Sequence, residues 1–236
     1  MSNFTTWRSL VDGEEIDFIP DSVVDNFEDA DAEPPGVYES GETISDYYKG
    51  ATANFARTTS DVVEGGHALA SQGTDDTGAI ISEPGDGLPR YHDEGDAIRF
   101  LIRDISTDTS TDVAPFFISN AAWNDGSPDG YAFQLYPRNG LIRIRLLEDG
   151  SLGSFSETSV SISDSTWYWG EVSTPTSEDD TIEYDLYEFD AGSRGSLLGS
   201  VSRNDNQFAS NRGHGVSPGS GEHGTGAILD GIEIVD

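Results

Sequence analysis

The residues whose spacing comes closest to catalytic chemistry are three carboxylates in one short run, Glu183, Asp185 and Glu188. Side chains two apart on a strand share a face, so Glu183 and Asp185 stand together, and a bulge is what would bring Glu188 round to join them. Carboxylates gathered that closely can divide the roles of nucleophile and general acid, the separation that retaining hydrolysis of a glycosidic bond requires. The alternative is an acidic strand face turned to water, and 44 acidic residues in 236 make such faces common.

A second group of residues has the chemistry of sugar recognition. Aromatic faces stack on the C–H groups of a pyranose, while amides, carboxylates and guanidinium groups hydrogen-bond its hydroxyls. Trp123 with Asn124 and Asp125 offers that mixture in one loop, and Tyr91 with His92 and Asp93 offers it in another. An outward strand row of Arg143 and Arg145, beside Gln134 and Tyr136, supplies the rest. Two arginines on one strand face suit an anionic glycan, or they pair with Glu171, Glu183 and Asp185. The run from Asp125 to Asp129 could cage a cation, although Asp-Gly-Ser-Pro-Asp is first of all a turn. The four histidines, His67, His92, His214 and His223, lack zinc-ligand spacing, and there is no nucleophile elbow, phosphate loop or dinucleotide fingerprint.

These side chains must be positioned by strands. From 166 to 201 the sequence reads as three strands and two turns: Trp167 and Trp169 alternate with Tyr168 and Gly170, and Ile182, Tyr184 and Leu186 alternate with Glu183, Asp185 and Tyr187. The same alternation marks 96–104, where Ile98, Phe100 and Ile102 oppose Arg99, Leu101 and Arg103, and 140–148, which closes on an Asp149-Gly150 hairpin turn. Strands are also expected at 23–28, 67–70, 113–119, 131–137, 154–163 and 228–235, with 37–48 and 50–58 as a hairpin-like pair. Long loops are expected at 71–96 and 209–226. That gives twelve to fourteen strands and no convincing amphipathic helix. Sheets with one apolar face must cover it with a second sheet, so the expected fold is an all-β sandwich.

Here the sequence resembles a known family. The run from Thr166-Trp-Tyr through the 182–192 strand and turn to the closing GAILDGIEI is similar to the back half of concanavalin A-like jelly rolls of the laminin-G type. VVDNFEDAD at 23–31 and VVEGGHALAS at 62–71 resemble the opening strands of such domains in haloarchaea and their tailed viruses. The resemblance covers roughly residues 23 to 236 and implies a concanavalin A-like jelly-roll sandwich of two antiparallel sheets. Its members include lectins, carbohydrate-binding modules, adhesins, virion proteins and glycosidases, so it implies fold more narrowly than function. Likeness to the laminarinase-like glycosidases would make Glu183 the nucleophile, Asp185 its partner and Glu188 the general acid. Likeness to carbohydrate-binding jelly rolls implies a structural calcium joining the first and last strands, here through Glu28, Asp29 and Asp230, because hard cations want six or more oxygens.

Composition sets the remaining bounds. Twelve basic against 44 acidic residues give a net charge of −32 and a pI near 4.1, with Lys49 the only lysine. The acidic residues are spread from Asp12 to Asp236, which points to a surface adapted to molar salt. Nucleic acid is disfavoured as a partner, since phosphate neutralisation needs clustered Lys and Arg. Cysteine is absent, no apolar run approaches a membrane span, and MSNFTTWRSL has no secretion-signal pattern, so synthesis in the cytoplasm is expected. Residues 1–22, with Phe4, Trp7, Leu10, Val11, Ile16, Phe18 and Ile19 in no clean period, are either a strap over the sandwich or an arm docking on a neighbouring subunit.

The expectation is therefore one jelly-roll domain, 23–236, behind an N-terminal arm, 1–22. It would serve as a non-catalytic carbohydrate-binding or structural module of a halophilic assembly. The setting expected is the virion surface of a haloarchaeal virus, as capsid decoration, turret or tail fibre, in a homo-oligomer that meets cell-surface glycan. A glycoside hydrolase and a purely architectural virion protein are the rival readings.

Overall fold

Alternating apolar and polar residues make nearly all of the described chain extended. The computed structural model describes residues 7–11, 14–18, 23–25, 27, 30, 37–59, 62–63, 66–71, 80–86, 88, 91–104, 116–120, 127–137, 139–163, 165–190, 193–216 and 227–235. The first strands are β1 (Trp7–Val11), β2 (Glu14–Phe18), β3 (Val23–Asp25), β4 (Lys49–Gly50), β5 (Phe55–Thr58), β6 (Ala68–Ser71) and β7 (Ile80–Ser82). The middle of the chain supplies β8 (Ala97–Asp104), β9 (Phe116–Ser119), β10 (Gly130–Tyr136), β11 (Leu141–Glu148) and β12 (Ser151–Ser159). The last are β13 (Trp167–Ser173), β14 (Thr181–Asp190), β15 (Ser193–Asn204), β16 (Gly213–Val216) and β17 (Ala227–Val235).

One sheet of seven strands runs in the order β12-β11-β10-β9-β16-β7-β4. The other runs β15-β14-β13-β8-β17-β6-β5, with β3 added on β17 to make eight. Every pairing is antiparallel, and the two large sheets share one apolar core. Ile98, Phe100 and Ile102 of β8, with Ile182, Tyr184 and Leu186 of β14, meet Phe116, Phe133, Leu135, Ile142 and Ile144 in one core. Phe100 and Phe116 stack across the sheets at 4.4 Å, and Tyr184 sits edge-on to Phe133 at 5.8 Å. Truncating a core ring such as Phe100 to Ala would cost about 3–5 kcal/mol, because the sheets cannot close over the void.

Two expectations are corrected. Residues 209–226 are not loop throughout, because β16 lies within them, between β9 and β7. Its alternating glycines are a packing requirement: a Cβ on Gly215 would stand 2.2 Å from the Ile80 carbonyl oxygen and 2.7 Å from the Phe117 ring. The segments 37–48 and 50–58 do not pair as a hairpin. Instead a single-turn helix, α1 (Ile44–Tyr47), forms after Thr43, whose N–H donates to the Asp46 carboxylate at 2.7 Å. The chain then leaves the seven-stranded sheet at β4 and enters the eight-stranded sheet at β5 through the tight turn Thr52–Asn54. Finally, β1 and β2 within the N-terminal segment form a separate two-stranded sheet, in register from Trp7↔Phe18 to Val11↔Glu14. The Asp12-Gly13 pair between the two runs is the sequence signal for that hairpin. No helix among the described residues is long and apolar enough to cross a membrane.

Candidate functional site

Register brings part of the expected sugar surface together. Gln134 lies opposite Arg143 and Arg143 opposite Glu157, while Ala132, Arg145 and Phe155 form the next row. With Tyr136 these side chains share the outer face of β10–β12, since Phe133, Leu135, Ile142 and Ile144 between them fill the core. Arg143 is the hub. Its Nε and Nη2 donate to Glu157 Oε2 at 3.1 and 2.7 Å, and its Nη1 donates to the Tyr136 hydroxyl at 3.0 Å. That hydroxyl donates in turn to Gln134 Oε1 at 2.8 Å. The guanidinium carbon lies 4.6 Å from the centroid of Tyr136 and 4.1 Å from that of Phe155. Arg145 donates from Nε to the Gly153 carbonyl at 3.3 Å and approaches the same Phe155 ring at 5.8 Å.

Depth sorts these residues. Gln134 and Tyr136 are 3% and 4% exposed and act as the floor under Arg143, whereas Phe155 is 49% exposed. The expected pairing of the arginines with Glu171, Glu183 and Asp185 is corrected, because those acids belong to the other sheet and Glu157 takes Arg143 instead. Phe155 and Glu157 are the residues that spacing missed. The available signal was a lone aromatic in an otherwise small and polar strand, SLGSFSETS.

Tyr91 and His92 are not part of this face. Tyr91 shares a hydrogen bond of 2.8 Å with the Ser82 hydroxyl, and its ring stacks on His214 at 5.1 Å. His92 Nδ1 lies 3.3 Å from His214 Nδ1. Because His214 pairs with Ile118 and Ser82, it points to the core side of the seven-stranded sheet, three strands from Arg143. His92 is 1% exposed, and burial, assisted by Arg212, pulls its pKa down to about 4. It is a neutral packing residue, which corrects its assignment to a ligand surface. Trp123, Asn124 and Asp125 lie outside the described residues.

The three carboxylates do not converge. β13 and β14 pair without a break from Ser173↔Glu183 through Glu171↔Asp185 to Tyr168↔Glu188. Glu183 and Asp185 therefore stand on the outer face, and Glu188 stands on the face of Tyr168 and Leu186. The irregularities in the pairing of β14 with β15 leave the β13 register untouched. The outer face is also tied up internally. Glu171 accepts from Arg99 at 2.9 Å and from Arg194 at 2.7 Å, Glu233 accepts from Arg99 at 2.9 Å, and Asp185 accepts from the Tyr187 hydroxyl at 3.1 Å.

Of the expected calcium ligands, Asp230 alone lies among the described residues. Glu28 and Asp29 lie outside the described residues, and among the described residues no three acidic, histidine or cysteine side chains gather around a point. Asp230 is fully buried, and its Oδ2 accepts the Val63 N–H at 2.7 Å. β3 does pair with the last strand, β17, but it brings Asp25, which lies opposite the core residue Ile232, while Asp230 lies opposite Leu101 on the outer side. One ion cannot bridge them. Asp25 is itself satisfied by protein: it accepts the Phe27 N–H at 2.7 Å and the hydroxyls of Tyr48 and Tyr38 at 2.9 and 3.1 Å. Burial nonetheless pushes its pKa up to about 6, against the pull of those hydrogen bonds and of Arg57.

No protein-family profile matches the sequence, and no curated protein matches it. Solved structures do. The legume lectin-like domain from Entamoeba histolytica aligns with a TM-score of 0.53 at 9% identity, over 79% of this chain and 91% of that one. The exoplasmic/lumenal domain of VIP36, in its Ca2+/Man3GlcNAc-bound form, aligns at 0.49 with 11% identity, over 80% and 82%. The carbohydrate recognition domain of Emp46p aligns at 0.48 with 11% identity, over 77% and 88%. At such identities the likeness is one of fold: two antiparallel sheets in the concanavalin A-like, legume lectin-like jelly roll.

Proposed function

We propose that this jelly roll is a non-catalytic carbohydrate-recognition module whose contact surface is the outer face of β10–β12. Phe155 carries the reading. It is an aromatic ring half open to solvent on a sheet face, held by Arg143 and bordered by Arg145 and the exposed Glu157. An apolar plate ringed by fixed donors and acceptors is what a pyranose requires, and a plate already fixed loses little entropy on binding. The failure of Glu183 and Glu188 to share a face supports recognition over hydrolysis.

Single plates of this kind bind weakly, so the module acts in many copies, anchored through residues 1–22. The uniformly acidic composition suits a halophilic particle, and we place the module on the surface of a haloarchaeal virion, facing host glycan. A glycan array in molar KCl, run with the wild type and Phe155→Ala, tests the reading. Binding that the substitution abolishes is expected. A wild type that binds no glycan would leave the architectural role in its place.

A further inference from the structure

A cleft of about 680 Å3 opens on the flank where the chain crosses from β4 to β5, within the roughly 300–1,000 Å3 typical of small-molecule sites. Its lining includes Ile44 and Phe55, both nearly buried, the threonines Thr52, Thr58 and Thr59, and the ionisable Glu42, Arg57 and His67.

Arg57 and Glu42 are both fixed before any ligand arrives. Arg57 Nε donates to the Phe27 carbonyl at 2.7 Å, and its guanidinium carbon lies 4.4 Å from the Tyr38 ring centroid. Glu42 accepts the Glu39 N–H at 2.7 Å and the Tyr47 hydroxyl. A fixed cation and a fixed anion, with threonines beside Ile44 and Phe55, complement a ligand that has a carboxylate, several hydroxyls and an apolar face. Neutral hexoses lack the first of these, and small anions lack the other two.

We propose that this cleft is a second ligand site and that it takes an acidic monosaccharide unit, a hexuronic acid, with its carboxylate toward Arg57 and its hydroxyls toward Glu42 and the threonines. The choice of a sugar rests on the carbohydrate reading above, while the site and its residues are separate from the Phe155 face.

Calorimetric titration of the full chain in molar KCl with methyl glucuronide, methyl glucoside and acetate tests it. Glucuronide is expected to bind at least about tenfold more tightly than glucoside, the worth of one charge-assisted hydrogen bond, and acetate is expected not to bind measurably. Ala53→Trp, placed on the exposed rim, fills the cleft and is expected to abolish the signal with an unchanged melting temperature, whereas Phe155→Ala keeps it. Equal affinity for glucuronide and glucoside, binding of acetate alone, no saturable binding of glucuronide, or binding that survives Ala53→Trp would each overturn the proposal. Loss of glycan-array binding in Phe155→Ala beside intact glucuronide binding separates the two sites.

Discussion

The Arg143 guanidinium lies 4.1 Å from the centre of the Phe155 ring and is clamped there by Glu157. Phe155→Ala removes a half-exposed ring and one cation–π contact, so a stability loss of no more than about 1 kcal/mol is expected, alongside loss of sugar binding. Arg143→Ala should cost more, about 1–3 kcal/mol, because it uncovers Tyr136 and takes a donor from its hydroxyl. Urea unfolding of the two single variants and the double variant measures the coupling directly.

Acid titration should show two opposed contributions. Asp25 has a folded pKa of about 6 against 3.8, so its contribution to stability is full below the lower value and is lost as pH rises through the upper one, by up to about 3 kcal/mol. Its charged form faces Tyr38, Tyr48 and Arg57. His92, with Arg212, Asp93 and His214 around it, has a folded pKa of about 4 against 6.5, so its contribution is present above the upper value and is lost as pH falls. Asp25→Asn removes only the first. Its stability relative to wild type should rise between pH 4 and pH 6 at fixed salt, and equal slopes for both proteins would contradict the raised pKa.

Salt should stabilise the fold. A net charge of −32 on 236 residues repels itself over a screening length of about 10 Å at 0.1 M salt and about 3 Å at 1 M. Relief of a few kcal/mol corresponds to a rise of about 10 °C in melting temperature between those conditions. Scanning calorimetry across a KCl series checks this, and a flat series would argue against the brine-adapted surface.

Gly215→Ala should be among the most damaging conservative changes. The new methyl would stand 2.2 Å from the Ile80 carbonyl oxygen, against backbone that cannot rotate away. A loss of about 3 kcal/mol or more is expected, read as a fall in urea midpoint, whereas Gly153→Ala, whose Cβ would meet nothing nearer than 3.5 Å, should lose far less.

Strands such as β8 and β14 were legible because Ile98, Phe100 and Ile102, or Ile182, Tyr184 and Leu186, recur at every second position against largely polar neighbours. β16 was not, because the feature that lets Gly-His-Gly-Val lie between β9 and β7 is the missing side chain at Gly213 and Gly215, and turns have the same composition. The outward row of Arg143, Arg145, Gln134 and Tyr136 was legible as a row. Its partners were not, since which strand lies beside β11 is a property of topology, and topology handed Arg143 to Glu157 and Phe155. His92 failed for a related reason: nothing local distinguishes an exposed loop histidine from one buried beside His214.

Glu183→Gln and Glu188→Gln are each expected to shift stability by less than about 0.5 kcal/mol, as exposed substitutions do, and to leave sugar binding intact. Loss of a hydrolytic activity in both would contradict the placement of the two carboxylates.

The unbroken register of β13 against β14 sets how far this scaffold stands from hydrolysis. One residue inserted after Leu186 with no bulge to absorb it would slip the strand beyond by one register step and reverse its parity, while Ile182, Tyr184 and Leu186 kept their places inside. Glu188 would then swing over to join Glu183 and Asp185, so on this strand a single codon separates a dispersed set of carboxylates from a gathered one.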